Sequence, residues 1–377
     1  MGGLLRLGRA AAVVLAAGTG LPACAAAAEP VLETITLPDG FAIEIYARVP
    51  GARSMAVASD LNAVFVGTRG DSVYAIVDEN GDGSPDRVVK VAGGLKVANG
   101  IAWRDNYLYV AEQHRIVRFH GLDIEGLRRA RPEVLFDGLP DDSWHGWRYA
   151  AFGADGMLYV SVGSPCNVCA VKGLEGTIIR LKRHGGAPEI FARGVRNSVG
   201  FDFHPRTGEL FFTDNGADNM GDDVPPDELN HAPCKGLHFG FPYYGGGDAL
   251  THYIGPAPPR PMTMPVVRFG AHVAALGIHF YRGSLFPPAY RNDAFVAQHG
   301  SWNRTVPDGY RVVRVRFDAA GRAVSWEPFA EGWLRRGSAW GRPVDVKELA
   351  DGSLLVSDDR QGIVYRITYK APYTKGR

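Results

Sequence analysis

Surplus charge is the first thing this chain lacks. Its 377 residues carry 41 Lys and Arg against 40 Asp and Glu. A balance this close gives no electrostatic case for nucleic acid or an anionic membrane as the main partner. Cysteine is scarce, at 4 residues, and only residues 166–169 (CNVC) are spaced as a pair. Ala170, not His, follows the second Cys, so this is not a c-type haem attachment, and no second CxxC completes a zinc site. Beyond the N-terminus no apolar run approaches the roughly 18 residues a membrane span needs. No Pro- or Ser-rich linker divides the chain into halves.

Residues 1–28 are expected to lie outside the fold as a secretory signal. Arg6 and Arg9 precede an alanine-rich apolar stretch over residues 10–17, and mostly small residues follow to Ala28. Gly18 and Gly20 break the apolar core, against a membrane-spanning reading. The residues around Cys24 fit ordinary signal peptidase, and LPAC at 21–24 also resembles a lipobox that would leave Cys24 acylated. Pro22 is unusual in a lipobox, so a soluble periplasmic or secreted protein is the expectation, with a membrane as partner only through Cys24. Removing the signal leaves 41 − 2 = 39 basic against 40 acidic residues. Export permits disulfides. Cys166 and Cys169 are expected to pair, with Cys234 free or a competing partner.

What the chain has in excess is glycine, at 48 residues, together with one recurring segment. A turn residue leads into an apolar strand at 62–67 (NAVFVG), 106–111 (NYLYVA), 156–161 (GMLYVS), 208–213 (GELFFT), 292–297 (NDAFVA) and 352–357 (GSLLVS). Most copies precede a second strand ending on Arg, such as 115–118 (RIVR) and 363–366 (IVYR). The period is roughly 45 to 60 residues, enough for one four-stranded sheet per repeat. Six radial copies predict an all-β, six-bladed β-propeller over residues 29–377, with little helix. A β-sandwich or a pair of small β domains would not repeat six times. The longer gap at 214–265, rich in Gly, Pro and His, is read as top-face loops rather than another blade.

Several loops carry chemistry. Residues 78–86 (DENGDGSPD) place oxygen donors at Asp78, Asn80, Asp82 and Asp86, with Gly83 at the sharp turn of a calcium loop. Val89 replaces the twelfth-position Glu, so a structural calcium site and a merely acidic hairpin stand as equal readings. His145 lies in 143–148 (SWHGWR) and is a general-base candidate, although a lone His is more often structural. Arg196 and Asn197 in 194–200 (GVRNSVG) stand at a strand entrance, either as a turn-stabilising pair or as ligands for carboxylate or quinone oxygens. Polar and aromatic residues crowd 214–244, and His299, Arg304 and Arg342 come from two further Trp-containing loops. Each lies near the end of a repeat strand, so the loops are expected to converge on one face.

These motifs resemble the PQQ-dependent soluble sugar dehydrogenases (PQQ, pyrroloquinoline quinone), in particular the sorbosone dehydrogenase branch. The resemblance covers residues 37–369 and is most specific at 194–200, 222–242, 299–304 and 341–345. It implies a six-bladed propeller with PQQ and Ca2+ on its central face. His145 then corresponds to the catalytic base, with its spacing to Phe152 and Gly153 kept. Arg196 and Asn197 correspond to the pair beside the quinone, Gly216 and Ala217 to the carbonyls that hold calcium, Asp227 to a carboxylate near the sugar, and Arg342 to a cofactor arginine.

The chain departs from this pattern at several points. Trp144 replaces the acid before the base, leaving Asp141 or Asp142 to orient His145. Ala98 stands near the usual glutamine, with Asn99 as substitute. Val344 replaces a second arginine, and His299 or Arg304 must serve for a lysine. The implied reaction is hydride transfer from a sugar or sugar-derived aldehyde to PQQ. Electrons would pass to an external acceptor of cytochrome c or quinone type. Two other classes remain open: a metal-dependent lactonase propeller and a non-catalytic binding propeller.

Overall fold

All six repeated segments become the second strand of an antiparallel four-stranded blade, which in blade 3 alone carries a fifth, parallel strand at its outer edge. The structure, a computed structural model, describes residues 31–250, 253, 255 and 261–371; the expected signal and Cys24 lie outside these. Blade 1 comprises Ala52–Ala58, Ala63–Thr68, Val73–Val77 and Arg87–Ala92, and blade 2 Gly100–Arg104, Tyr107–Ala111, Ile116–His120 and Glu133–Phe136. Blade 3 comprises Ala150–Phe152, Leu158–Val162, Thr177–Leu181 and Glu189–Arg193, and blade 4 Phe201–Phe203, Leu210–Asp214, Pro226–Ala232 and Val267–Ala271. Blade 5 runs Ala275–Phe280, Ala294–Gln298, Arg311–Phe317 and Ala323–Glu331. Blade 6 takes Pro343–Glu348, Leu354–Asp358 and Ile363–Tyr369, and its outer strand is Phe41–Arg48 from the other end of the chain. That strand pairs Phe41 with Tyr369 and Ile43 with Ile367, so the ring closes through hydrogen bonds between the two ends of the propeller.

The second strands read as near-continuous apolar runs because neighbouring blades cover both of their faces. Six apolar clusters lie one at each junction. Leu108 and Phe65 meet between blades 1 and 2, Tyr109 and Val160 between 2 and 3, and Phe201 and Tyr159 between 3 and 4. Phe211 and Phe280 meet between 4 and 5, Phe295 and Tyr365 between 5 and 6, and Val64 and Leu355 close the circle. The one α-helix among the described residues, Ile124–Arg129, is capped by Asp123, which accepts from Gly126 N.

One expectation is corrected here. The stretch 214–265 is not loops alone: it contains the third strand of blade 4, Pro226–Ala232, and Leu237–His238, which pairs in parallel with the outer strand of blade 3. Asp227, Glu228 and Asn230 are buried polar residues on that third strand, and they hid its apolar pattern.

Candidate active site

Two sets of loops open on one end of the ring. One set leads from the outer strand of a blade to the inner strand of the next; the other joins the second and third strands within a blade. They surround a cavity of about 310 Å³ on the propeller axis. Its apolar floor is Trp147 packed with Val199, Leu276 and Val344. His145, Arg196, Asn197, Gly216, Asp227, His299 and Arg342 all line it, so one cavity gathers seven of the ten residues that the resemblance placed beside the cofactor.

His145 has a left-handed backbone (φ 52°), a strain of about 1–2 kcal/mol for a non-glycine residue. His272 and Ala274, also on the cavity wall, share that conformation. Gly163 permits the close approach of His145: a Cβ there would lie 2.5 Å from the His145 Cβ. The ring's Nδ1 is 3.0 Å from both the carbonyl and the hydroxyl oxygen of Ser164. The Ser164 hydroxyl itself donates to the Cys166 carbonyl (2.8 Å). Both Ser164 oxygens are therefore acceptors toward the ring, so Nδ1 carries the proton and Nε2 keeps a free lone pair. Burial, reinforced by the Arg196 charge, pushes the imidazole pKa well below its usual 6.5.

Ser164, not an acid, thus orients His145, which corrects the expectation for Asp141 and Asp142. Asp141 binds Lys96 (2.6 Å) and Gln113 (2.9 Å), while Asp142 accepts from Trp144 N (3.1 Å). Trp144 is half exposed and sets its ring edge-on to His145, 5.7 Å between centroids.

Arg196 is buried and bonded through four of its five N–H hydrogens. Nε donates to the Asn167 carbonyl (2.9 Å), Nη1 to the Asn215 carbonyl (3.1 Å), and Nη2 to Asn167 Oδ1 and Asp218 Oδ2 (2.8 Å each). The Asp214 carboxylate accepts from the backbone N–H groups of Arg196 and Asn197 (2.8 and 2.6 Å). Gly216 N donates to Asp227 Oδ1, and Ala275 N to Asp227 Oδ2, both at 2.9 Å. Burial raises the Asp227 carboxyl to about 6. Asp227 therefore lines the cavity while bracing the Gly216 turn. Ala217 is buried against Phe241 and Leu250.

The opposite wall is cationic. Arg53 Nη1 and Arg69 Nη1 both bond Asp359 Oδ2 (2.6 and 3.0 Å), and His299 Nε2 lies 2.9 Å from Asp359 Oδ1. Burial takes His299 down to about 4, so it is neutral at pH 7 and donates from Nε2. Arg342 donates to the carbonyls of His299 (3.1 Å) and Gly300 (2.7 Å). The Arg53 guanidinium lies 4.3 Å, and that of Arg69 5.5 Å, from the centroid of the Trp147 ring, in cation–π contact. Three arginines against one carboxylate leave this wall a net positive charge. Three buried polar atoms of cavity-lining residues have no protein partner: Asn197 Oδ1, His272 Nδ1 and Asn303 Oδ1. Buried polar atoms are rarely left so, and these mark places for a polar ligand.

Some candidates fall elsewhere. Asn99 is fully buried behind the wall, where its Oδ1 accepts from Arg53 Nε (2.7 Å). Arg304 turns away from the cavity and bonds the carbonyls of Asp222, Ala271 and Val306. The loop 78–86 joins the third and outer strands of blade 1, at the far end of the ring from the cavity. Its oxygens cap its own backbone: Asp78 accepts from Gly81, Asp82 and Gly83 N, Asn80 from Asp82 N, Asp82 from Ser84 N, and Asp86 from Glu79 N. Among the described residues no group of three or more His, Cys, Asp or Glu is arranged to hold a metal. Cys166 and Cys169 form a disulfide, and Cys234 is free and exposed.

Sequence reasoning missed Arg53, Arg69, Trp147, Ser164, His272, Asn303 and Asp359. The signal was positional. Arg53 stands at an inner-strand entrance as Arg196 and Arg342 do, and Arg69, Ser164 and Asp359 follow second strands as His299 does. Aligning the repeats on their ends, rather than on their apolar centres, would have found them.

Fold and cavity together define a six-bladed propeller with a cationic cavity on its axis. The chain belongs to the glucose/sorbosone dehydrogenase family, whose model matches residues 52–366. An uncharacterized protein of Borreliella burgdorferi is 34% identical over 359 residues, covering 91% of this chain and 93% of that one. In structure the chain is similar to the holo form of the pyranose dehydrogenase PQQ domain from Coprinopsis cinerea (TM-score 0.73, 19% identity, 89% of this chain and 97% of the other). It is similar also to the PQQ-bound form of aldose sugar dehydrogenase from Streptomyces coelicolor (TM-score 0.63, 18% identity, 89% and 100%). At such identities the likeness speaks for the fold.

Proposed function

We propose that the protein oxidises a sugar or sugar-derived aldehyde, of aldose or sorbosone type, with PQQ and calcium as cofactors. The observation that carries this reading is a single cavity holding a neutral histidine with a bare Nε2, a fixed arginine beside it, and a cationic wall over an aromatic floor. A planar tricarboxylate fits that chemistry. Arg53, Arg69 and Arg342 would meet its carboxylates, Trp147 its ring plane, and Asn197 Oδ1 a ring N–H. The cavity volume falls at the small end of the usual range for cofactor sites, about 300–1,000 Å³. Arg53 and Arg69 would supply the charge that Val344 and the missing lysine do not. Calcium would rest on the carbonyls of Gly216 and Ala217, hard oxygen donors of the kind it takes.

When bound, PQQ supplies an electrophilic quinone carbonyl that accepts hydride, and calcium polarises it. His145 Nε2 takes the proton from the substrate hydroxyl or hydrated aldehyde. Arg196 holds a positive charge where negative charge develops as hydride leaves the substrate. A lactonase would give the arginine wall no task, and family membership supports the dehydrogenase instead. Export to the periplasm or medium is part of the proposal, supported by the signal-like N-terminus and the Cys166–Cys169 disulfide. So is an external electron acceptor, because the sequence has no haem-attachment motif of its own.

Purified protein titrated with PQQ and calcium should give a saturable absorbance change, then reduce a dye with some member of an aldose and sorbosone panel. No PQQ binding at micromolar concentration, with calcium present, would overturn the reading. Chelation should abolish turnover and readdition of calcium restore it. Asp82→Ala should leave turnover and its calcium requirement unchanged, since Asp82 caps its own loop far from the cavity. A turnover loss in that variant would return the 78–86 loop to the mechanism.

A further inference from the structure

The two side chains given reactive roles above share one support outside the cavity, a short loop that holds the His145 ring and two of the four bonded hydrogens of Arg196. Residues 163–172 contain no strand, so no ladder of hydrogen bonds fixes them. Their order comes from the Cys166–Cys169 disulfide, from Cys166 and Val168, which pack on the Ala217, Phe241 and Leu250 cluster, and from single hydrogen bonds such as Ser164 N to the Arg196 carbonyl (2.8 Å). Inside the disulfide ring, Asn167 gives its carbonyl to Arg196 Nε (2.9 Å) and its Oδ1 to Arg196 Nη2 (2.8 Å). The same Oδ1 accepts from Asp218 N (2.8 Å), and Nδ2 donates to the Asp218 carbonyl (2.9 Å). One asparagine thus fixes the guanidinium and the turn that carries Gly216 and Ala217. At the near edge of the ring, the Cys166 carbonyl accepts from the Ser164 hydroxyl, whose oxygen in turn accepts from His145 Nδ1. Neither Asn167, Ser164 nor either cysteine lines the cavity.

We propose that the Cys166–Cys169 ring is the positioning element of the site, with Asn167 as the positioning residue for Arg196 and the Gly216–Asp218 turn, and Ser164 for His145. The inference rests on the proposed dehydrogenase reading for its kinetic consequences, but not for its geometry. Opening the ring leaves blade 3 intact, because Leu158–Val162 and Thr177–Leu181 pair directly on either side of the loop. It frees the backbone of residues 165–171, since Ser164 N stays bonded to the Arg196 carbonyl, and the two Arg196 anchors on Asn167 are then loosened. Misplacing a reacting group by about 1 Å costs on the order of 10² in rate, so the loss should fall on turnover more than on substrate KM.

Three variants test this: Asn167→Ala, Asn167→Asp, and Cys166→Ser with Cys169→Ser. Asn167→Asp keeps the two acceptors and loses the donor to the Asp218 carbonyl. Asn167→Ala and the double serine variant should lose about 10²-fold in kcat, with sugar KM changed less than about threefold and PQQ bound more weakly. Asn167→Asp should recover only part of the kcat, because its second carboxylate oxygen faces the Asp218 carbonyl where the amide donated. Hydrogen exchange of the Asp218 amide, read without cofactor, should accelerate at least tenfold in Asn167→Ala and in the double variant. If the double variant does not fold, the folded parent is treated with a dithiol. Two electrons and two protons pass to the disulfide, giving two thiols and a cyclic oxidised reagent, and the same readings are taken. Unchanged Asp218 exchange in Asn167→Ala and in the ring-opened protein overturns the proposal. So does a lowered melting temperature with kcat and PQQ affinity intact, which would make the ring a stabiliser only. A parent that binds no PQQ overturns the dehydrogenase reading instead, and the exchange data still decide the positioning.

Discussion

His145→Ala should lose about 10² to 10⁴ in turnover, the usual worth of a positioned general base, and still bind PQQ with nearly the parent affinity. The separation follows from where the charges lie. His145 is neutral, and its anchored face is spent on Ser164, whereas the cationic wall is Arg53, Arg69 and Arg342. Removing the imidazole therefore takes away the proton acceptor without touching the cations. The parent's pH profile should carry the same signature. Burial and the Arg196 charge depress the imidazole pKa, and the neutral ring is the working form. The acid limb of kcat/KM should then lie well below pH 6.5, and it should vanish in His145→Ala. The checks are single-turnover reduction of PQQ by excess sugar, followed from acid to neutral pH, and PQQ titration by absorbance. A variant that reduces PQQ at nearly the parent rate removes His145 from the mechanism. An acid limb at or above 6.5 contradicts its buried environment.

The propeller was legible because blade stacking writes one apolar strand into the chain six times, and all six copies are second strands. The third strand of blade 4 was not, because Pro226–Ala232 carries Asp227, Glu228 and Asn230 into a buried position beside the site. Its polarity serves hydrogen bonding there, so its sequence reads as loop. The site divides along the same line. Residues embedded in distinctive motifs, such as Arg196 and His299, fall on the cavity wall. Arg53 escaped notice because ARSMAVA reads as an ordinary apolar strand with a stray cation. Only the ring brings it beside Asp359, 306 positions away in sequence, and over Trp147. Arg304 misled for the opposite reason. It stands in a conspicuous motif, yet its donors are spent on loop carbonyls.

Arg196→Ala should behave unlike His145→Ala, losing affinity and rate together. The guanidinium is a fixed cation on the cavity wall and is itself the hub of four hydrogen bonds. Its removal takes away charge that would meet an anionic cofactor. A lost donor of the oxyanion-hole type costs on the order of 10² to 10³ in kcat, so turnover should fall by at least that much while PQQ binds more weakly. It also leaves the largely buried Asp218 carboxylate without its cation; breaking a buried pair from one side typically costs about 3–5 kcal/mol, and partial exposure of Asp218 places the expected loss at the lower end. Arg196→Lys should recover part of the affinity and little of the rate. An ammonium keeps the charge, but cannot reach the Asn167 carbonyl, Asn167 Oδ1, Asp218 and Asn215 at once as a planar fork does. Because the Arg196 charge also lowers the His145 pKa, the acid limb should move to higher pH in Arg196→Ala and stay near the parent position in Arg196→Lys. Melting curves, PQQ titrations and pH profiles of the two variants measure the three effects separately. If Arg196→Lys matches the parent in kcat as well as in affinity, the fork has no function beyond its charge.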